Sequence, residues 1–599
     1  MLAPLPGPLV LTPVYWLSAV VLAVAAGQVA AAELPLARFV APEAEAKELE
    51  PVFELVLART RLPATPDPED DERLLRRLRD RALEVLQTEG YFTAQITAEP
   101  DREQRARYVL RVSPGPRAQI ADVDLKLTGG IEAQPRRIAE LVKSWELNKG
   151  QPFRDREWST AKTRLLARVQ ERDFPAARLV DSEADVDVDA ARVNLRVEID
   201  SGPPFTIGEL EVTGLERYDQ ELVERFNPFK AGDRYDAAQL LEFQRRLQTS
   251  PYFGRVVVDV EIDPERPQQV PLKVELTEAK TKRVSFGAGY STNTGPRVEA
   301  TYRQTLLFGA PYTLQTGLGI DKTRSVGFAD ILLPPKPNGA IDSFGVLAER
   351  TDIEGQHTKR WAAGVARARS FETKSAAYDT KLSLTLQREL RRAIEQLPPP
   401  AEQVAPITND VLSLIYTWTR RTVDQITDPR RGDILTLRAG PGLQRSGISD
   451  TFFFTYGRYV RYFELSPKDQ VIVRGEIGHN TADDLNRVPN EFLFRAGGAG
   501  SVRGYRYQSL GVREGAVTRG SRSLAVGSLE YVRWFSEAWG GALFYDVGDA
   551  DDDLWRITWA KGYGVGARWR TIAGPLALDA AYSDRDHRWR LHFSIAVAF

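Results

Sequence analysis

Cysteine is absent from these 599 residues, which excludes disulfides, thiolate nucleophiles and sulfur-ligated metals. Histidine is nearly absent: His357, His479, His587 and His592 are the whole supply. None stands in a His-x-x-x-His or similar spacing, so no zinc site is expected. Charge of one sign is lacking too. The 80 basic and 82 acidic residues leave a formal net charge of −2, so nothing electrostatic points to a nucleic-acid partner. Long apolar runs are equally scarce. Val14 to Ala26 is one, shorter than the roughly 20 residues a membrane-spanning helix needs. The small residues Ala30 and Ala32 follow it, so residues 1–32 are expected to be a signal peptide cleaved after Ala32. Its one departure from that pattern is that no Lys or Arg precedes the apolar core.

What is present divides into two halves. From Leu34 to about Ala279 the chain repeats with a period of about 80 residues, the mark of an array. Each unit reads as strand, two helices, then two strands. In the first (33–116), Leu36 to Val40 is extended, Pro42 opens a helical stretch to about Arg59, and Pro63 to Asp71 is a break. Leu74, Leu75, Leu78, Ala82, Leu83 and Leu86 then fall on one helical face. Strands follow at Ile96 and at Tyr108 to Val112. The second unit (117–203) opens at Gln119, places Trp158, Ala161, Leu165 and Val169 on its helix, and closes with strands near Leu179 to Val188 and Val193 to Ile199. The third (204–279) opens at Ile207, carries Leu240, Phe243 and Leu247 on a helix, and closes with Val256 to Ile262 and Val270 to Leu276. The joints Ser113-Pro114-Gly115-Pro116 and Ser201-Gly202-Pro203-Pro204 are short and stiff, because proline fixes φ.

After Lys282 the period changes to two, and no long helical face appears. Val284, Phe286, Ala288 and Tyr290 alternate with Ser285, Gly287, Gly289 and Ser291. Counting weak runs, about sixteen strands fit into 280–599, each near the 9–11 residues that a membrane-barrel strand requires. In the last, Trp589, Leu591, Phe593, Ile595, Val597 and Phe599 share one apolar face. The number of consecutive strands and the aromatics near strand ends (Tyr459, Tyr462, Phe463, Trp534, Trp539) favour a transmembrane antiparallel barrel over a soluble sandwich. Arg391 to Thr408, with Pro398 to Pro400, reads as a long exposed loop. Asp428 to Asp433 reads as a turn into a strand, which accounts for its Arg-Gly-Asp triplet.

One glycine-rich stretch stands apart: Gly497-Gly498-Ala499-Gly500-Ser501-Val502-Arg503-Gly504-Tyr505. Downstream, Phe544-Tyr545-Asp546-Val547-Gly548 places a lone carboxylate on a strand. An arginine on a bent loop and an aspartate on a wall can form a bidentate pair. No base, nucleophile or metal set accompanies them, so no catalytic role, metal or cofactor is expected.

The β-α-α-β-β unit resembles the POTRA domain, whose arrays lie in the bacterial periplasm and bind partners by adding a strand to a sheet edge. Val502-Arg503-Gly504-Tyr505 resembles the Val/Ile-Arg-Gly-Phe/Tyr signature of the family that contains BamA, TamA and the two-partner secretion transporters. Phe544, Asp546 and Gly548 match the wall motif of that family. The resemblance implies that a loop, here 481–520, folds into the lumen and that Arg503 meets Asp546 as a structural latch. Leu591, Phe593, Ile595, Val597 and Phe599 resemble the C-terminal signal that marks outer-membrane barrels for assembly. Three POTRA-like units match the TamA group. That implies a TamB-like partner anchored in the inner membrane, outer-membrane protein clients, a surrounding of outer-membrane lipid, and help in inserting or exporting such proteins or in moving lipid. A weak seam is implied between strands at about Arg283 to Tyr290 and Arg588 to Phe599. Gly287 and Gly289, which weaken pairing, agree with it. Three readings compete: a BamA-like general factor; a two-partner secretion pore, which usually begins with a plugging helix that Ala32 to Leu36 leaves no room for; and a hydrolase built on His479, Asp483 and Asp484, for which no Gly-x-Ser-x-Gly motif exists.

Overall fold

The computed structural model describes residues 37–598 apart from 43–46, 48, 51–52, 55, 58–67, 104, 374, 394–406, 446–450, 516 and 572–573. The expected signal peptide, the Pro63 to Asp67 part of the expected break and Phe599 lie outside the described residues.

Three α+β units come first. Unit 1 holds β1 (Ala37–Val40), α1 (Pro68–Thr88), β2 (Gln95–Pro100) and β3 (Tyr108–Ser113). Unit 2 holds β4 (Gln119–Thr128), α2 (Pro135–Lys143), α3 (Asp155–Gln170), β5 (Arg178–Asp187) and β6 (Arg192–Asp200). Unit 3 holds β7 (Ile207–Thr213), α4 (Gln220–Glu224), α5 (Ala237–Thr249), β8 (Phe253–Val260) and β9 (Val270–Glu278). The sheet orders are β1-β3-β2, β4-β6-β5 and β7-β9-β8, one topology three times. Each sheet sets its closing strand in the centre, parallel to the first and antiparallel to the second. The helical faces read from the sequence are the cores: Leu78, Ala82 and Leu86 are fully buried in unit 1, Leu165 and Val169 pack against Val193, Leu195 and Val197 in unit 2, and Phe243 and Leu247 pack against Leu272 and Val274 in unit 3.

The joints are bonded rather than loose. Glu89 pairs with Arg117 and Arg154 between units 1 and 2. Asp173, in the left-handed region at φ 61°, accepts from Gln134, Arg137 and Arg234 between units 2 and 3. At the last joint Glu278 accepts the backbone N–H groups of Glu216, Arg217 and Tyr218 at 2.9, 2.8 and 3.1 Å and the Arg217 Nε–H at 2.6 Å. Burial acts to raise the Glu278 pKa, but these hydrogen bonds outweigh it and hold the carboxyl below its usual range. The ordered turn sets Tyr218 Oη 2.8 Å from Thr305 Oγ1, on the floor of the second half.

That second half is a closed barrel of sixteen antiparallel strands. They are β10 (Lys282–Ser291), β11 (Gly295–Gln304), β12 (Thr313–Ile320), β13 (Arg324–Leu332), β14 (Ala340–Ile353), β15 (Gln356–Glu372), β16 (Ala377–Ala393) and β17 (Ile407–Arg421). Then come β18 (Gly432–Gln444), β19 (Thr451–Glu464), β20 (Asp469–Asn480), β23 (Ser523–Trp534), β24 (Trp539–Asp551), β25 (Ala560–Thr571), β26 (Gly574–Ser583) and β27 (Arg588–Ala598). A small hairpin, β21 (Val512–Glu514) and β22 (Val517–Arg519), lies inside the long connection between β20 and β23. Apolar side chains face outward in alternation, among them Val284, Phe286, Leu318, Ile320, Leu543, Val565 and Leu591. Closure gives every barrel strand a neighbour on each side, as hydrocarbon requires of a spanning sheet.

One expectation needs correction. The stretch expected to be loop from Arg391 is still β16 as far as Ala393, and Arg391 is a buried partner of Glu389; residues 394–406 lie outside the described residues. Trp534 closes β23, as expected of an aromatic at a strand end. It is buried, with the Arg570 guanidinium 3.5 Å from its ring centroid.

Candidate functional site

The connection from Thr481 to Arg522 leaves the barrel at the end away from the three units and folds back into it. Its glycines make this possible. Gly497, Gly498 and Gly504 have φ of 106°, 97° and 93°, which side chains other than glycine's rarely tolerate. Gly562 on the wall completes the fit: a Cβ there would lie 1.9 Å from the Arg503 carbonyl oxygen. Loop backbone and barrel wall are therefore in direct contact.

Arg503 is 5 % exposed and Asp546 fully buried. The Arg503 Nε–H donates to Asp546 Oδ2 at 2.7 Å and Nη2 to Oδ1 at 2.9 Å, a bidentate pair. The backbone N–H of Arg503 adds a third bond to Oδ2 at 3.0 Å, and Ser528 Oγ donates to Oδ1 at 2.6 Å. The Phe544 ring lies under the guanidinium, 3.5 Å from centroid to Cζ. Sequence reasoning missed the rest of the cluster. Arg503 Nη1 also donates to Glu530 at 2.7 Å and Asp579 at 3.1 Å, and Arg568 pairs with the same two acids at 2.6 and 2.5 Å. Two guanidinium groups thus share three carboxylates. A fork with five N–H donors suits such a node and a lysine does not.

The neighbouring motif residues anchor the loop differently. Val502 is fully buried among Phe452, Phe454, Phe492, Phe494 and Tyr505. Tyr505 Oη donates to Asp584 at 2.5 Å. Gly548 is where β24 runs close to β23: a Cβ would meet the Ala525 carbonyl oxygen at 2.7 Å. Of the C-terminal set, Leu591 faces outward, Phe593 and Ile595 are half-buried, and the Val597 side chain and Phe599 lie outside the described residues.

A second anchorage, also missed, holds the start of the loop to the opposite wall. Asn490 donates from its backbone to Glu389 on β16 at 3.0 Å, and from its side chain to Gln356 and Thr358 on β15 at 2.9 and 2.8 Å. Arg360 pairs with Glu491, and Arg391 donates to the Val488 carbonyl. The loop is a strut between two walls. His479, weighed as part of a hydrolase set, instead bonds Ser523 Oγ at 2.9 Å, while Asp484 accepts the Asn486 N–H at 3.0 Å.

The seam is short. β10 is in register with β11 along all of Lys282–Ser291, but with β27 only along Gly287–Ser291. Among the described residues, those five pairs are the fewest of any two neighbouring barrel strands.

Together these features define a membrane-spanning β-barrel that carries an internal loop strut and is preceded by repeated α+β units. A family model described as the Omp85 superfamily domain matches residues 281–599, and one for the POTRA repeat, described as surface antigen variable number repeat, matches 205–279. The chain belongs to the Omp85 superfamily. Its barrel lies in the outer membrane and its POTRA end in the periplasm. It is 24% identical over 537 residues to the outer membrane protein assembly factor BamA of Nitratidesulfovibrio vulgaris, covering 85% of this chain and 66% of that protein. It is 22% identical over 467 residues to BamA of Neisseria meningitidis serogroup B, covering 72% of this chain and 56% of that protein. The chain thus spans less than two thirds of the length of either relative. The crystal structure of BamA from Haemophilus ducreyi lacking POTRA domains 1-3 superposes with a TM-score of 0.63 at 17% identity, over 80% of this chain and 100% of that one. That likeness bears on the fold alone.

Proposed function

We propose that this chain is the outer-membrane component of an assembly and translocation machine that helps insert or export outer-membrane and autotransporter-type proteins, with lipid transfer as a related task. The five-pair seam carries the reading. Strand pairing strengthens with the number of cross-strand contacts, so the barrel parts there at least cost. Arg503 and Asp546 act as the latch that keeps the loop, and through it the barrel wall, in one arrangement. The three units, read as POTRA domains, offer sheet edges to partners in the periplasm.

Three POTRA-type units support a finer reading, a TamA-type subunit working with a long TamB-like protein anchored in the inner membrane. The names of the curated relatives favour a second reading, a BamA-like general factor. Crosslinking the full-length protein in cells distinguishes them. Recovery of a very long, inner-membrane-anchored protein supports the first, and recovery of outer-membrane lipoproteins supports the second. One large secreted β-rich protein would instead favour a dedicated secretion pore. The seam itself is tested by the double variant Ser291→Cys with Ser594→Cys, residues opposite each other in register. No native cysteine competes. Oxidation is expected to reduce client assembly and reduction to restore it; full activity with the seam locked would refute opening at this site.

A further inference from the structure

The loop does more than grip the wall at Asp546. Residues 499–504 lie across the seam and are bonded on both sides of it. On the β10 side, the Ala499 N–H donates to Asn293 Oδ1 at 3.3 Å. Asn293 stands two residues beyond the end of β10. On the β27 side, one residue, Gly504, is held at both its backbone N–H and its carbonyl. The Gly504 N–H donates to His592 Nε2 at 2.8 Å, and the Gly504 carbonyl accepts from Arg590 Nη1 at 2.5 Å. His592 and Arg590 are two residues apart and so project from the same, inward face of β27. Gly504 is pressed close enough to the wall that a Cβ would come within 3.0 Å of the Ser583 nitrogen. The loop backbone therefore has little freedom to leave this contact alone.

The pairing of the seam strands is confined to the end where the loop lies. Residue pairs run from Gly287–Ala598 to Ser291–Ser594, and Thr292 extends them by a reciprocal pair with Phe593: N–H to carbonyl at 2.9 Å and N–H to Oγ1 at 3.0 Å. Among the described residues, Lys282 to Phe286 have no registered partner on β27. The loop crossing and the paired part of the seam thus coincide along the barrel axis.

We infer that residues 499–504 form a clasp across the seam, in which Asn293, His592 and Arg590 position the loop so that its docking and closure of β10 on β27 are one event. This rests on the latch reading of Arg503 but assigns different residues a different task. His592 is the informative member. To accept from Gly504, its Nε2 must carry the lone pair, which places the ring proton on Nδ1. Nδ1 is buried and has no hydrogen-bond partner among the described residues. A side chain serving only to fill the wall would not need that tautomer.

The test is hydrogen exchange on the full-length protein in phospholipid vesicles, reading segments 283–293 and 590–598 against the β16–β17 pair as an internal control. His592→Phe removes the acceptor and retains the bulk. It is expected to speed exchange at the seam about fivefold, the factor for one hydrogen bond of ordinary strength, with the control unchanged. His592→Gln, which offers an acceptor oxygen, is expected to stay near the parent rate. Asn293→Ala, on the far side of the seam, should speed the same two segments. Unchanged seam exchange in both His592→Phe and Asn293→Ala overturns the clasp, and so does a rise shared equally by the control strands. Arg503→Ala, run alongside, separates the two readings. If it loosens 497–507 while His592→Phe leaves the seam untouched, the clasp fails and the latch stands. If it does not loosen 497–507, the latch itself fails.

Discussion

Removing Arg503 and removing Asp546 should not cost the same, although they form one bidentate pair. Asp546→Asn keeps the shape and takes away the charge. Arg503 then still faces Glu530 at 2.7 Å and Asp579 at 3.1 Å, so its charge is not stranded. The loss is one to two charge-assisted hydrogen bonds, about 1–3 kcal/mol. Arg503→Ala is different. It leaves Asp546 fully buried with only Ser528 Oγ as a side-chain donor, and leaves Glu530 and Asp579 sharing Arg568 alone. Stranding a buried charge costs about 3–5 kcal/mol, and the stacking on Phe544 is lost as well. Arg503→Lys keeps the charge but not the fork, and should fall between the two. Thermal unfolding of the barrel in lipid vesicles, with hydrogen exchange over 497–507, reads the order: Arg503→Ala worst, Arg503→Lys intermediate, Asp546→Asn mildest. Equal effects of Ala at 503 and Asn at 546 would refute the shared-node reasoning and reduce the cluster to a simple pair.

Gly562→Ala places a methyl where the Arg503 carbonyl now lies, 1.9 Å away, so the loop should be displaced and become a site of limited proteolysis; a protected loop would show that the wall yields instead. Glu278→Ala should free the turn at Glu216 to Tyr218 by about 1–3 kcal/mol and loosen unit 3 from the barrel floor, seen as faster exchange at 215–219. The same contact gives a pH dependence. The folded-state pKa of Glu278 is depressed, so its contribution is complete above the ordinary glutamate value of about 4.3 and is lost as pH falls through the lower folded value. Exchange at 215–219 should therefore rise on acidification in the parent and not in Glu278→Gln.

How much of this was legible beforehand follows from how local each signal is. The helical faces of the three units were readable because a buried helix needs apolar residues at one spacing, and Leu78, Ala82 and Leu86 or Trp158, Ala161 and Leu165 supply it with no help from distant sequence. Strands such as β10 and β27 were readable for the same reason at period two. β11, β13 and β15 were not individually visible. In β15 the residues from His357 to Arg369 place Ala and Arg on both faces, and a strand flanked on both sides by barrel neighbours tolerates that dilution. Arg503 and Asp546 were found because glycine marks unusual backbone and because two motifs stood in a known order. Glu530, Arg568, Asp579, Asn490 and His592 carry no such mark. Each is an ordinary polar residue at an inward position of a strand or in a loop, and only the register decides what it meets.

Register also explains why the loop could not be reduced to its motif. A strand fixes which residues share a face, but the partner of an inward charge is set by the tilt of strands dozens of residues away. Arg503 meets acids 27, 43 and 76 positions downstream, and Asn490 meets residues 101 to 134 positions upstream. These contacts pull on opposite walls. A loop bonded to one wall can be released by a local change; one bonded to two walls resists any motion that separates them. The short seam lies beside one of the two anchor points and far from the other. Opening there must therefore either carry the Arg503 end of the loop along with a departing strand or break the loop's bonds across the seam, at Asn293 on the β10 side or at Gly504 on the β27 side. The strut geometry makes release of the seam bonds the smaller disturbance, because Asp546 and Asp579 sit on strands that need not move when β10 parts from β27.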